Sequence, residues 1–225
     1  MSVQIVQQGN GFWLNGVDCA LMIQRYNNID FAGTPYTQID QQLINFFHNA
    51  QTEQDIWLAM NPQSLFIRAY KLQRRNVFSE QTSGNTLWGL RQSILKLPTI
   101  VPPFQNIVTA QANIGTIGKT FDQINVRFSQ ALGRGLLPDT SLSKLLHFVK
   151  PDSFWIVDSR AKAVMKQWRY PESFHGMGLF LKDLISHPDF EPFQQWIQQY
   201  NIQTSGNTSC SFLKTIDKVM YEAGG

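Results

Sequence analysis

The chain has 225 residues, carries a formal net charge of +3, and is 43% hydrophobic but only 16% charged. That length allows one large domain or two small ones, with a core that needs no disulfide for stability. The two cysteines, Cys19 and Cys210, lie far apart and outside any Cys/His cluster, which argues against a disulfide framework and a zinc site. No segment approaches the ~20 apolar residues of a membrane-spanning helix, so we expect no membrane association. We also expect no cofactor.

The first ~30 residues indicate a small β element or an extended arm. Two Asn-Gly pairs, Asn10-Gly11 and Asn15-Gly16, flank Phe12-Trp13-Leu14, and Asn-Gly favours hairpin turns because both residues tolerate positive φ. We therefore assign residues 1–30 to an N-terminal hairpin or arm. Residues 1–25 lack the basic start and apolar run of a signal peptide, so a cytoplasmic protein is expected, monomeric by default and nucleoid-associated if bacterial.

After Pro35 the pattern becomes helical. Ile39, Leu43, Phe46 and Phe47 have the spacing of one helix face. Further helices are predicted over 53–60, 64–74, 86–97, 177–187, 189–201 and 209–223. The segment 64–74 carries a basic cluster that includes Arg74 and the adjoining Arg75, which indicates either a solvated helix face or a phosphate contact.

Residues 104–132 are apolar and helical in pattern, but Gly115 and Gly118 are expected to interrupt the helix. The stretch Gly115–Thr120 superficially looks like a phosphate-binding loop. It lacks the first glycine and the four-residue gap of G-x-x-x-x-G-K-[ST], and no parallel strand precedes it. The sequence therefore argues against a nucleoside triphosphatase.

The segment from 137 to 165 combines apolar periodicity with polar residues that could carry chemistry. Leu137-Pro138 introduces a helix whose apolar face is Leu142, Leu145, Leu146 and Val149, with Lys144 beside it. Pro151-Asp152 ends that helix. Residues 154–157 form an apolar link too short for a helix, and Asp158 then stands at the start of the next helix, where aspartate is a favoured N-cap.

This order resembles the catalytic core of the helix-hairpin-helix DNA glycosylase superfamily, particularly its 8-oxoguanine glycosylase-like branch. Leu137-Pro138 matches the opening of the family's Leu-Pro-Gly-x-Gly hairpin, Lys144 its nucleophilic lysine and Asp158 its aspartate. The chain departs from the family at residues 139–141, which replace the hairpin glycines, and in a Lys144-to-Asp158 interval about one helical turn shorter. The resemblance covers about thirty residues.

The resemblance implies a mainly α fold in which two helical subdomains flank a cleft, within residues 31–225. It implies that Lys144 and Asp158 are catalytic, and that the excised base enters a pocket for which His147, Phe148 and Trp155 are the nearest candidates. Thr140 and Ser141 would cap the helix and present amides to DNA. Arg160 would either contact a phosphate or pair with Asp152.

The expected function is a DNA glycosylase that excises a damaged or modified base from double-stranded DNA, with or without strand cleavage through a lysine Schiff base. The alternative is a non-catalytic, all-helical module that binds DNA or protein. The two hypotheses differ over whether the side chains of Lys144 and Asp158 converge.

Overall fold

The structure is a computed structural model that describes residues 3–52, 107–131, 135–206 and 210–225, together with residues 54, 55, 69, 89, 91, 92, 95 and 133. Within the helix at 107–131, side chains are described from residue 112 onward. The predicted helices at 53–60, 64–74 and 86–97 fall largely outside these residues, and so do Arg74 and Arg75.

Within the described residues the chain forms five short strands and eight helices. The strands are β1 (Ile5–Gln8), β2 (Gly11–Leu14), β3 (Val17–Asp18), β4 (Asp30–Phe31) and β5 (Thr34–Pro35). The helices are α1 (Cys19–Asn27), α2 (Tyr36–Asn49), α3 (Ile107–Ala131), α4 (Asp139–Val149), α5 (Ser159–Gln167), α6 (Phe174–Ile185), α7 (Phe190–Ser205) and α8 (Phe212–Ala223). The prediction of a mainly helical protein with a small N-terminal β element is confirmed.

Strands β1, β2 and β3 form an antiparallel meander, and β4 pairs with β5. Asn15 and Gly16 make the two-residue turn between β2 and β3, both with positive φ, as the hairpin signal requires. The other Asn-Gly pair is divided, because Asn10 lies in the turn and Gly11 begins β2. Phe12 anchors the meander on α7, its ring centroid lying 5.4 Å from that of Trp196.

Helix α1 lies inside the segment that the sequence assigned to an arm. Asp18 accepts a hydrogen bond from the Leu21 amide and caps it, and its buried residues, Cys19, Met22, Ile23 and Tyr26, follow helical spacing. The helix packs against α7 and α8. The N-terminal segment is therefore part of the helical core.

Helix α3 runs without a break through Gly115 and Gly118, so the predicted interruption is wrong. A glycine inside a helix costs only about 1 kcal/mol relative to alanine, which the packing of this helix on α6 outweighs. At Gly118 a Cβ atom would lie 3.0 Å from Nδ1 of His175 on α6, so the missing side chain allows the two helices to approach.

Helices α4 and α8 are buried on all sides along most of their length. Residues 141–149 of α4 and 212–220 of α8 are all buried. Helix α8 packs against α1, α5 and α7, whereas α4 packs against α2. Because burial without a partner is costly for a polar group, the polar side chains of these two helices must find partners inside the protein.

Candidate active site

The turn before α4 is tied to α3 by Asn125. The Asn125 side-chain amide donates to the carbonyl of Leu137 at 3.0 Å, and its oxygen accepts from the Leu137 amide at 2.8 Å. At the first position of α4, Asp139 accepts a hydrogen bond from the Phe174 amide at the start of α6. These contacts fix the start of α4 relative to α3 and α6.

Lys144 and Asp158 converge. Nζ of Lys144 lies 3.9 Å from Oδ2 of Asp158, and the two residues are 9% and 7% exposed. Oδ1 of Asp158 accepts hydrogen bonds from the amides of Arg160 and Ala161 and so caps α5. The predicted N-cap is confirmed, and one carboxylate thus serves the helix with one oxygen and faces the lysine with the other.

The link between α4 and α5 has no regular secondary structure, as the sequence predicted for residues 154–157. Two side chains of α4 bind its backbone. Oγ of Ser143 accepts a hydrogen bond from the Val157 amide at 3.1 Å, and Nδ1 of His147 lies 2.7 Å from the Phe154 carbonyl oxygen. The link therefore runs alongside α4 and returns Asp158 to the level of Lys144.

The three residues predicted to bind the base, His147, Phe148 and Trp155, are all buried. Trp155 stacks on Phe174 with ring centroids 4.4 Å apart and donates its indole N–H to the Phe174 carbonyl. Burial, together with the charge of Lys214, lowers the pKa of His147 to about 3. His147 is therefore neutral at physiological pH, and its Nδ1–H donates to the Phe154 carbonyl.

Arg160 lies against α8. Its guanidinium carbon is 4.0 Å from the centroid of the Tyr221 ring, and its Nη1 lies 3.7 Å from a carboxylate oxygen of Glu222. Glu222 thus takes the place of Asp152, the partner that the sequence suggested. Arg160 remains partly exposed, as a phosphate contact would require.

Sequence reasoning did not single out Tyr221, which contacts Arg160 and interacts electrostatically with Asp158. Burial raises the pKa of its phenol, the Arg160 charge lowers it, and the Asp158 charge raises it. The ring is half-buried and meets Tyr26 edge-to-face at 5.5 Å. A tyrosine in the apolar pattern of α8 gives no sequence signal of this proximity, which depends on α8 packing against α5.

Of the residues predicted to contact DNA, Ser141 is buried and Thr140 is half-buried at the start of α4. The prediction that they cap the helix is wrong, because α4 begins after Pro138 without a side-chain cap and the Ser141 amide donates to the Pro138 carbonyl at 3.0 Å. Arg74 and Arg75 lie outside the described residues.

A buried charge cluster also went unpredicted. Nζ of Lys214 lies 2.8 Å from Oδ2 of Asp217, 3.3 Å from Oδ2 of Asp40 and 3.0 Å from the hydroxyl of Tyr26. Burial opposes the charge of Lys214, but Asp217 and Asp40 outweigh it and raise its pKa well above the usual value. Lys218 binds the side-chain oxygens of Asn27 and Asn201.

Comparison with protein-family models, curated proteins and solved structures found no match. Among the residues that the structure describes, no helix is long and apolar enough to cross a bilayer, and no group of three or more His, Cys, Asp or Glu side chains could hold a metal ion.

Proposed function

We propose that the chain is a DNA N-glycosylase that excises a damaged or modified base, with Lys144 and Asp158 as its catalytic pair. The observation that carries the proposal is the 3.9 Å approach of Lys144 Nζ to Asp158 Oδ2 in a largely buried setting. The sequence alone left open whether these side chains meet. Their approach is the geometry that the enzyme hypothesis requires and that the binding-module hypothesis does not.

Asp158 would act on the positive charge that develops on the sugar when the glycosidic bond breaks. A carboxylate held in place by two backbone amides needs no reorganisation during the reaction, so its charge stabilises the transition state effectively. The amides bind Oδ1, which leaves Oδ2 directed toward Lys144. The helix cap and the catalytic role are therefore compatible in this residue.

Lys144 would act as the nucleophile at the anomeric carbon once its ammonium group has given up a proton. Asp158 lies close enough to receive that proton, directly or through one water molecule. Attack by the lysine forms a bond to the anomeric carbon as the glycosidic bond breaks, and the base leaves with the proton that Asp158 received. The imine form of the resulting adduct can lead to strand cleavage. Where Asp158 instead activates a water molecule, the base is released without an adduct.

The DNA would lie along the start of α4, near the half-buried Thr140, with Arg160 beside it. Arg74 and Arg75 would add phosphate contacts, and the cleft between two helical subdomains would receive the extruded base. The proposed location is the cytoplasm, on double-stranded DNA.

Borohydride trapping tests the lysine mechanism. Wild-type protein is incubated with duplexes that each carry one modified base, and both free base and covalent adduct are measured. Lys144→Gln should abolish the adduct, whereas Lys166→Gln, which changes an exposed lysine of α5, should leave it intact.

Asp158→Asn should abolish base release, whereas Asp189→Asn, at an exposed aspartate, should not. Base release without an adduct would assign catalysis to Asp158 and water. DNA binding with neither release nor adduct across the panel would overturn the glycosylase proposal and favour the binding module.

A further inference from the structure

The link between α4 and α5 sets the position of Asp158, yet its own conformation is irregular. Residues 154–157 are buried and belong to no helix or strand. Buried backbone groups that lack a ladder or helix must be satisfied by other partners. The groups that bind this link therefore decide where Asp158 is placed.

Two of those partners lie one helical turn apart on α4. Ser143 binds the Val157 amide, and His147 binds the Phe154 carbonyl. Residues four apart in a helix project from the same face, so the two side chains hold the link at both ends. Ser143 is adjacent to Lys144 in sequence, and Val157 is adjacent to Asp158. One hydrogen bond thus couples the chain positions next to the two proposed catalytic residues.

The protonation state of His147 suits this role. Burial and the Lys214 charge bring its pKa to about 3, so the ring stays neutral and keeps a proton on Nδ1 for the Phe154 carbonyl. The ring is fully buried. A group in this state neither titrates near neutral pH nor reaches solvent, but it can hold a backbone carbonyl in place.

We propose that Ser143 and His147 are positioning residues that hold the 154–157 link against α4, so that Asp158 Oδ2 faces Lys144 Nζ. The catalytic consequence rests on the proposed glycosylase function, whereas the structural consequence does not. The same clamp accounts for the short interval between Lys144 and Asp158, because a link bound directly to α4 needs no additional helical turn to bring the two residues together.

The test uses three substitutions in the full chain. Ser143→Ala removes the acceptor for the Val157 amide, and His147→Leu removes the donor to the Phe154 carbonyl. His147→Asn is the conservative variant, since its amide can donate from nearly the position of Nδ1. Ile197→Val on α7, a helix that packs on α1, α8 and β2, is the control for a general loss of stability.

The function-independent measurements are amide hydrogen exchange at Val157 and the Lys144–Asp158 distance in crystal structures of the variants. Ser143→Ala and His147→Leu should increase exchange at Val157 and lengthen the distance. His147→Asn and Ile197→Val should leave both near wild-type values. These readouts decide the clamp even if the wild-type protein proves to excise no base.

Activity provides the second measurement. Displacement of a catalytic group by about 1 Å can cost on the order of 100-fold in rate. Ser143→Ala and His147→Leu should therefore lower the single-turnover rate of base release by roughly 10- to 100-fold at saturating DNA, with DNA affinity nearly unchanged. His147→Asn should restore most of the rate.

An unchanged Lys144–Asp158 distance in both Ser143→Ala and His147→Leu would overturn the proposal. So would a rate loss that Ile197→Val reproduces. If Ser143→Ala does not fold, His147→Leu and His147→Asn are compared for amide exchange at Val157 and for the Lys144–Asp158 distance. Equal values in these two variants would overturn the proposal.

Discussion

Lys214, near the start of α8, lies 3.3 Å from Asp40 in α2, and both side chains are almost completely buried. The contact joins two parts of the chain that lie 174 positions apart in sequence, at a point where Tyr26 of α1 also donates to Asp40. Asp217 supplies a second carboxylate. Lys214 and Asp217 pair within α8, but the contacts with Asp40 and Tyr26 form only when α1, α2 and α8 are assembled.

Removal of one member of this cluster should strongly destabilise the fold. Lys214→Met removes the cation in contact with both Asp217 and Asp40, on which the charge of Lys218 still acts. Asp40→Asn removes one of the two carboxylates around Lys214. A buried pair broken at one side typically costs about 3–5 kcal/mol, and chemical denaturation should show a loss of that order for Lys214→Met. Lys182→Met, at an exposed position of α6, is the control. A loss below about 1 kcal/mol at Lys214 would contradict this account.

His147 should make the protein less stable in acid. Its pKa falls from 6.5 to about 3 on folding, so below pH 6.5 the unfolded chain binds a proton that the folded protein does not. The stability that the folded protein gains from a neutral His147 is present in full above pH 6.5. It is lost as the pH falls toward about 3, at up to about 1.4 kcal/mol per pH unit. Denaturation series from pH 7 to pH 4 should show a shallower decline in His147→Asn, which has no titrating ring. Parallel curves for the two proteins would argue against this mechanism.

Alanine substitutions at Gly115 on α3 and Gly178 on α6 should change the stability of the fold in opposite directions. At Gly115 on α3 a Cβ atom meets nothing within 4 Å, so Gly115→Ala should stabilise the protein by about 0.5–1 kcal/mol through backbone entropy. At Gly178 on α6 the Cβ would lie 3.1 Å from the Trp155 ring and 3.3 Å from Ile114. Gly178→Ala should therefore destabilise the fold despite its helical position. Thermal unfolding of both variants checks the pair, and a change of the same sign in each would refute the argument.

The sequence predicted the elements whose signal is local and left unpredicted those that depend on packing. Periodicity placed α2, because Ile39, Leu43 and Phe47 alone indicate the buried face. The sequence also predicted that an apolar link joins the helix of Lys144 to the helix that begins at Asp158. The burial of Lys214 was not predicted, since a lysine near the start of an amphipathic helix ordinarily faces solvent. Its partner Asp40 lies on a helix distant in sequence, so the pairing exists only after folding.

Asn125 should be as important as a catalytic residue for the geometry of α4, because its side chain holds the Leu137 backbone while also accepting a hydrogen bond from the Ser129 hydroxyl. Asn125→Ala leaves the amide and the carbonyl of the buried Leu137 without partners, at a cost of about 1–3 kcal/mol for each unsatisfied group. Asn125→Asp keeps an acceptor for the Leu137 amide but places a carboxylate oxygen against the carbonyl, and should be similarly harmful. Denaturant unfolding measures both losses. Ser205→Ala, on α7, is the control and should lower the free energy of unfolding only slightly. A loss there as large as that of Asn125→Ala would contradict a special role for Asn125.

Asp158 offers a way to separate helix capping from catalysis in one position. Asparagine can accept the amides of Arg160 and Ala161 as the carboxylate does, so Asp158→Asn should keep the helix cap and lose only the stability that the charge facing Lys144 contributes. Asp158→Ala removes the cap and should cost a further 0.5–2 kcal/mol, roughly. Both variants lack the charge that faces Lys144, so both should fail to release base. If Asp158→Asn instead retained base release while Asp158→Ala lost it, the residue would act through the structure of α5 alone, and the charge opposite Lys144 would have no part in the reaction.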